Sequence, residues 1–333
     1  MRCDEYAMRC DEYAGPVDLR GMQSLAGRLH PAVSWRHAGD LAWAATCAGE
    51  PERCPTAVWR DGERNGERDD ERVVAWGWFE GPGELTLQVD PGYPGLADEV
   101  LVWAERSAAA GAVMGVGGSS GGSGSGSGDY PISTTISDNE PHIAAALTAR
   151  GYVAATDGPF FSCLGLDLSA LPPVPGMPEG YTLRHCDDRN VAVRAEAHRA
   201  AWSYWDSTYS EQQHTVLRGL WPYKPEFDLL AIAPDGTAAA YYQGWYDEHS
   251  RVGLFEPVGT HPQHRRLGLS RALGIALLHR FAEAGGRTAV VCPRGDNAYT
   301  MARLTYESMG FTAFSRTHTY TKTALSERTE LSG

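Results

Sequence analysis

Val258-Gly-Thr-His-Pro-Gln-His-Arg-Arg-Leu-Gly-Leu-Ser-Arg271 decides how this chain is read. An apolar stretch, Val252-Gly-Leu-Phe-Glu-Pro-Val258, leads into it and reads as a strand. After it, Leu269, Ala272, Leu273, Ala276, Leu277 and Phe281 recur at helical spacing and mark one face of a 3.6-residue period. Arg265, Arg266 and Gly268 therefore fall where a strand turns into the first turn of a helix. Unpaired N–H groups and the positive end of the helix dipole meet at such a point, so main-chain donors can hold an anion. Gly268 lets that anion approach the backbone closely, and the two arginines add charge. The stretch reads as a pyrophosphate cradle built without a P-loop lysine.

Working outward, Arg265-x-x-Gly268-x-Ser270 resembles the Arg/Gln-x-x-Gly-x-Gly/Ala signature of the GNAT superfamily, the acyl-CoA-dependent N-acetyltransferases. Asn297 and Tyr306-Glu-Ser-Met-Gly-Phe311 resemble that family's Asn…Tyr-Glu-x-x-Gly-Phe segment, with a slightly longer spacing between the Asn and the Tyr. The resemblance covers 179–325 and predicts a catalytic C-terminal GNAT domain there, followed by a tail at 326–333. Earlier in the chain, Leu147-Thr-Ala-Arg-Gly151-Tyr152 parallels Tyr306-Glu-Ser-Met-Gly310-Phe311. The layout thus resembles tandem, two-domain GNAT proteins of the mycothiol synthase type. The implied fold is α/β, with tandem GNAT folds that each form a mostly antiparallel twisted sheet flanked by helices.

A chain of 333 residues suits two domains with a core each. The formal charge of −13 argues against a nucleic-acid partner, because phosphate binding needs a basic face. Seven scattered cysteines without a Cys-x-x-Cys pattern read as free thiols of a reducing compartment. No apolar run reaches the roughly 18 residues of a membrane span. A cytoplasmic enzyme without a membrane partner is expected, a monomer whose two halves act as a pseudo-dimer.

Residues 1–7 are repeated at 8–14, and 1–15 is expected to be a disordered leader or a start-site artefact. A degenerate N-terminal GNAT-like domain is expected at 16–170, with strands at 56–60, 73–79, 84–89 and 160–168 and a helix at 96–109. Its Gly/Ser tract at 117–128 reads as a flexible connector. The formal Gly-x-Ser-x-Gly inside that tract follows from composition alone. The Pro-rich segment 171–178 reads as the linker. Aligning Pro91 with Pro262 sets Pro94-Gly-Leu-Ala-Asp-Glu99 against Arg265–Ser270, so the first copy has no arginine there and carries Asp98 and Glu99 instead.

The resemblance implies direct attack of an amine on the thioester of acetyl-CoA, or another acyl-CoA, in a ternary complex. Val258, Gly259, Thr260, Arg265, Arg266, Leu267, Gly268, Leu269, Ser270 and Asn297 are the expected cofactor contacts, with the Val258 N–H at the carbonyl oxygen. Glu256, just before the turn, is the candidate base acting through water, or else a binding site for a cationic substrate. Tyr306 is the candidate donor of a proton to the leaving thiolate, or else a core aromatic. His198, Trp202, Trp205, Tyr209 and Tyr242 are expected to shape an acceptor pocket suited to a cation with ring-like bulk. His261 and His264 have metal-like spacing, but no further ligands accompany them in a cationic turn, so no metal is expected. The acceptor is expected to be a primary amine of a small metabolite or an antibiotic-like molecule. A non-catalytic acyl-CoA sensor and a protein lysine acetyltransferase are the competing readings.

Overall fold

The structure is a computed structural model and describes residues 8–47, 54–62, 72–110 and 131–323. The first heptad copy, most of the polar loop after residue 61, the Gly/Ser tract and the tail lie outside the described residues. In chain order the elements are β1 (Arg9–Glu12), α1 (Pro16–Leu29), α2 (Ala38–Cys47), β2 (Thr56–Asp61), β3 (Arg72–Gly81), β4 (Glu84–Val89), α3 (Leu96–Ala109), β5 (Ile132–Ser137), α4 (Pro141–Ala149), β6 (Val153–Ala154) and β7 (Ser162–Asp167). They continue with β8 (Thr182–His185), α5 (Val191–Ala201), α6 (Glu211–Leu217), β9 (Asp228–Ile232), β10 (Ala238–Asp247), β11 (Val252–Thr260), α7 (Leu269–Glu283), β12 (Thr288–Val291), α8 (Met301–Glu307) and β13 (Thr312–Lys322).

The chain folds as two units, and neither is one contiguous block. The first takes 1–29, 48–158 and 317–333; the second takes 30–47 and 159–316. In the first, β1 to β4 pair antiparallel, β5 joins β4 in parallel, and residues 317–322 of β13 pair antiparallel with β5. In the second, β8 to β11 pair antiparallel, β12 joins β11 in parallel, and β7 pairs antiparallel with β12 and with residues 312–316 of β13. The same design occurs twice: an antiparallel meander, one parallel step bridged by a helix (α3 or α7), and an antiparallel closing strand.

Three parts of the chain fall differently from the sequence reading. The second heptad copy is not a disordered leader: Arg9–Glu12 adds an edge strand to β2, in register from Arg9↔Arg60 to Glu12↔Ala57. Its polar sequence shows no apolar alternation because main-chain bonds and the buried Arg60, paired with Asp18 and close to Asp11, hold it. The strand expected to close the N-terminal domain is β7, and its partners Leu164↔Val291 and Asp167↔Thr288 belong to the second unit. The segment at 171–178 lies against the second unit's core through Leu171 and Met177, and His279 Nε2 is 2.9 Å from the Pro172 carbonyl oxygen. Prolines suit it because they need no N–H partner along such an extended path.

The second unit's core gathers along α7. Leu269, Leu273, Leu277 and Phe281 are buried with Tyr242, Phe255, Tyr306, Met309 and Phe311. The helix also buries Ile275 and Leu278 on its other side, more than a single amphipathic stripe would. Its start is thereby fixed at the end of β11.

Candidate active site

A cleft of about 560 Å³ opens where β11 gives way to α7. Val258, Gly259 and Thr260 form one part of its lining, and Arg265, Arg266, Gly268, Leu269, Ser270 and Arg271 another. Gly268 caps α7 with φ of 81°, a left-handed conformation that favours glycine. A Cβ built there would meet nothing within 4 Å, so its free side points into open space. Among the described residues, the main-chain N–H groups of Arg265 through Ser270 have no acceptor. Six donors at a helix start, with arginines beside them, suit the pyrophosphate of an acyl-CoA.

The ladder between β10 and β11 slips at Glu256-Pro257: Tyr242 faces Val258 and Gly244 faces Phe255, so two residues stand opposite Gln243 alone. Pro257 has no N–H to give, which accounts for the interruption. Trp245 Nε1 donates to the Glu256 main-chain oxygen and holds the bulge. The Glu256 side chain is half-buried and is not part of the cleft lining. Burial pushes its carboxyl up to about 8, Asp40 adds to the rise and Arg36 opposes it.

Tyr306 lines the cleft from α8 while its ring packs near Phe255 and Phe311. Its hydroxyl has no hydrogen-bond partner among the described residues, and burial holds it well above the ordinary tyrosine range. It is therefore a protonated donor at neutral pH, and the core-aromatic reading also describes its ring. Ser270 shares a 2.6 Å hydrogen bond with the Tyr242 hydroxyl, which ties the first turn of α7 to β10.

The expected acceptor residues separate into two groups. Trp202 and Trp205 line the cleft, and the Trp205 ring meets Tyr299 edge-on at 5.8 Å. His198, Tyr209 and Tyr242 are buried and stand outside the cleft lining, which corrects their expected role. Trp202 Nε1 donates to the Tyr241 hydroxyl at 2.7 Å, and that hydroxyl lies 2.7 Å from His198 Nδ1. Burial, with Arg194 nearby, lowers His198 to about 3, so it stays neutral beside that hydroxyl. These side chains hold Trp202 in place. Leu267 and Asn297 are likewise outside the lining, both on exposed turns. His261 Nδ1 accepts from the Gln263 N–H at 3.2 Å and His264 Nδ1 lies 2.8 Å from the Tyr181 hydroxyl, so both rings brace the turn.

Behind this layer Arg194 is fully buried, with Nε 2.7 Å from Asp228 Oδ1 and its guanidinium 3.8 Å above the Tyr241 ring. Asp228 Oδ2 lies 3.2 Å from His214 Nε2 and accepts from the Tyr223 hydroxyl at 3.3 Å. Burial opposes the Asp228 charge, yet Arg194 and His214 outweigh it and keep the carboxyl below its ordinary range. Cys186, His214 and Asp228 are metal-ligand types within 4.8 Å of one another. A dication there would sit beside the Arg194 guanidinium, so charge balance assigns the cluster to Arg194.

Sequence reading missed Tyr299, Met301, Leu304 and Thr305, which line the cleft from α8 and the loop before it. Met301 and Leu304 are three apart and more than half exposed, so they form an apolar stripe along α8. That spacing was the available signal. It also missed Trp43, whose ring stands 5.3 Å from His198 and 5.1 Å from Tyr209; no local pattern marks it. In the first unit, α3 begins with Asp98 and Glu99 in its first turn, and Asp98 pairs with Arg150 at 2.9 Å.

Residues 194–311 match the family model described as Acetyltransferase (GNAT) family. Comparison with the sequences of curated proteins gave no match. The chain is similar in structure to a tandem GNAT protein from the clavulanic acid biosynthesis pathway, solved without AcCoA, at 18% identity and a TM-score of 0.64, covering 96% of this chain and 99% of that one. It is also similar to a GCN5-related N-acetyltransferase from Sphaerobacter thermophilus at 17% identity and a TM-score of 0.58, covering 95% of each chain. A GNAT-family acetyltransferase from Colwellia psychrerythraea shares 12% identity with a TM-score of 0.56, covering 94% and 99%. At such identities the likeness establishes the fold, a tandem GNAT arrangement.

Proposed function

We propose, for a chain that carries a GNAT-family acetyltransferase domain over residues 194–311 and is an N-acetyltransferase, that it transfers an acetyl group from acetyl-CoA to a primary amine of a small molecule. The observation that carries this reading is the row of unpaired main-chain donors from Arg265 to Ser270, opening on the same cleft as the unpartnered Tyr306 hydroxyl. Acetyl-CoA brings the activated acyl group. Arg265, Arg266 and the donors around Gly268 hold its phosphates, and the Val258 N–H faces the carbonyl oxygen. Tyr306 gives its proton to the departing thiolate as the C–S bond breaks, and Glu256 takes the amine's proton through water. Trp202, Trp205 and Tyr299 present aromatic faces at the cleft, which favours a compact amine with ring-like or apolar bulk over an extended peptide.

An amine library screened with acetyl-CoA, reading free thiol, tests the reaction and finds the acceptor. Tyr306→Phe is expected to lower kcat by about 100-fold while acetyl-CoA affinity stays within about twofold, since one proton donor and little contact area are lost. Glu256→Gln is expected to slow turnover most near and above pH 8, where the parent's carboxyl is ionised and can take the amine's proton, and least at low pH, where that carboxyl is already protonated. Turnover in Tyr306→Phe equal to that of the parent would end the general-acid assignment.

A further inference from the structure

The segment 30–47 lies outside the family-matched residues, yet it folds into the second unit, where α2 packs on β10 and β11. Gly39 makes this close seating workable. Its backbone lies so near Trp245 that an added methyl would overlap the indole. That same Trp245 donates to the Glu256 main-chain oxygen. Next to Gly39, Asp40 Oδ2 accepts from the His37 N–H at 2.7 Å, which fixes the carboxylate at the start of α2.

We propose that Asp40 is a positioning residue for the reaction: the first turn of α2 sets its carboxylate beside Glu256, with Arg36 as the opposing charge, so that the acid–base behaviour of Glu256 is governed from outside the catalytic domain's own motifs. This rests on Glu256 being the base. The groups around Glu256 leave these two in control. Cys47, Cys292, Tyr241 and Tyr306 also lie in its electrostatic surroundings, and each is shifted upward chiefly by burial or, for Cys292, by its hydrogen bond with Cys163. All four are therefore neutral between pH 5 and 9. His37, on the same turn as Asp40, is lowered to about 4 by burial and is neutral too. Asp40 and Arg36 carry the remaining charges that act on Glu256. A like charge favours the protonated carboxyl, and an opposite charge favours the carboxylate.

Carbon-13 NMR titration of the full chain, with the Glu256 resonance identified by its loss in Glu256→Gln, reads the effect without an acceptor. Asp40→Asn keeps an oxygen for the His37 N–H and removes the charge; the Glu256 midpoint is expected to fall by about one pH unit. Arg36→Gln is expected to move it upward by a similar amount, and Asp40→Glu to restore it. The acid limb of kcat/KM with the amine found by screening should move the same way. A Glu256 midpoint that stays put in both Asp40→Asn and Arg36→Gln overturns the proposal. An acid limb that survives Glu256→Gln instead removes Glu256 as the base, whatever the NMR midpoint does.

Discussion

Gly268→Val is expected to abolish acetyl-CoA binding while the protein stays folded. At φ of 81° a β-branched residue costs about 1–3 kcal/mol, which a domain of ordinary stability survives. The larger effect is in the cleft. Because nothing lies within 4 Å of the Cβ direction, the isopropyl group projects into the open space beside the row of free N–H groups. It would occupy the ground a phosphate needs and block several main-chain bonds together. Calorimetric titration should give one site per chain for the parent and a loss of at least about 100-fold, roughly 2.7 kcal/mol, for the variant. Gly268→Asn tolerates the left-handed backbone and so separates strain from obstruction; it should fold as well as the parent and still bind poorly. One site, not two, is expected because the first turn of α3 carries Asp98 and Glu99, whose charges repel a phosphate. Binding within threefold of the parent in Gly268→Val, or two equivalent sites in the parent, would place the cofactor elsewhere.

The largest effect on stability is expected from Asp228→Ala. Both Asp228 and Arg194 have fully buried side chains, and Arg194 has no other anionic partner within salt-bridge distance among the described residues. Removing the carboxylate leaves a buried guanidinium over the Tyr241 ring without its counter-ion. Breaking one partner of a buried pair costs about 3–5 kcal/mol. For a unit of this size that is a fall in Tm of about 10 °C. Arg218→Ala, which releases the exposed Asp188, should change Tm little, since surface pairs contribute weakly. Equal losses in the two variants would show that Arg194 is compensated by something other than Asp228.

What the sequence made legible is local. The cradle at 265–270 depends on a glycine, a helix start and two arginines within six positions, so its chemistry can be read without tertiary knowledge. Tyr306 was legible through its spacing to Gly310 and Phe311. The rest depends on which distant segments meet. Asp40 and Trp43 gain meaning only because α2 joins the second unit, and nothing in 30–47 announces that. His198, Tyr209 and Tyr242 have the composition of a binding pocket, but the Tyr241 hydroxyl, His214 and the Ser270 hydroxyl hold their polar atoms instead. Aromatic residues with polar tips serve either purpose, and burial alone decides between them. The strand at 9–12 escaped because edge pairing through main-chain bonds leaves no hydrophobic period to detect.

The exchange of closing strands bears on how the chain is made. The first unit needs residues 317–322 to pair with β5, so that edge of its sheet stays open until residue 322 has left the ribosome. At about 5–20 residues per second, the gap between finishing β5 and finishing β13 is on the order of 10–40 s. During that interval the edge of β5 presents main-chain groups that β13 pairs with in the finished fold, which makes the nascent chain a natural client for chaperones. Ribosome-stalled chains ending before residue 317 should be cleaved within β2 to β5 by a dilute protease, and chains extended past residue 323 and clear of the exit tunnel should resist it.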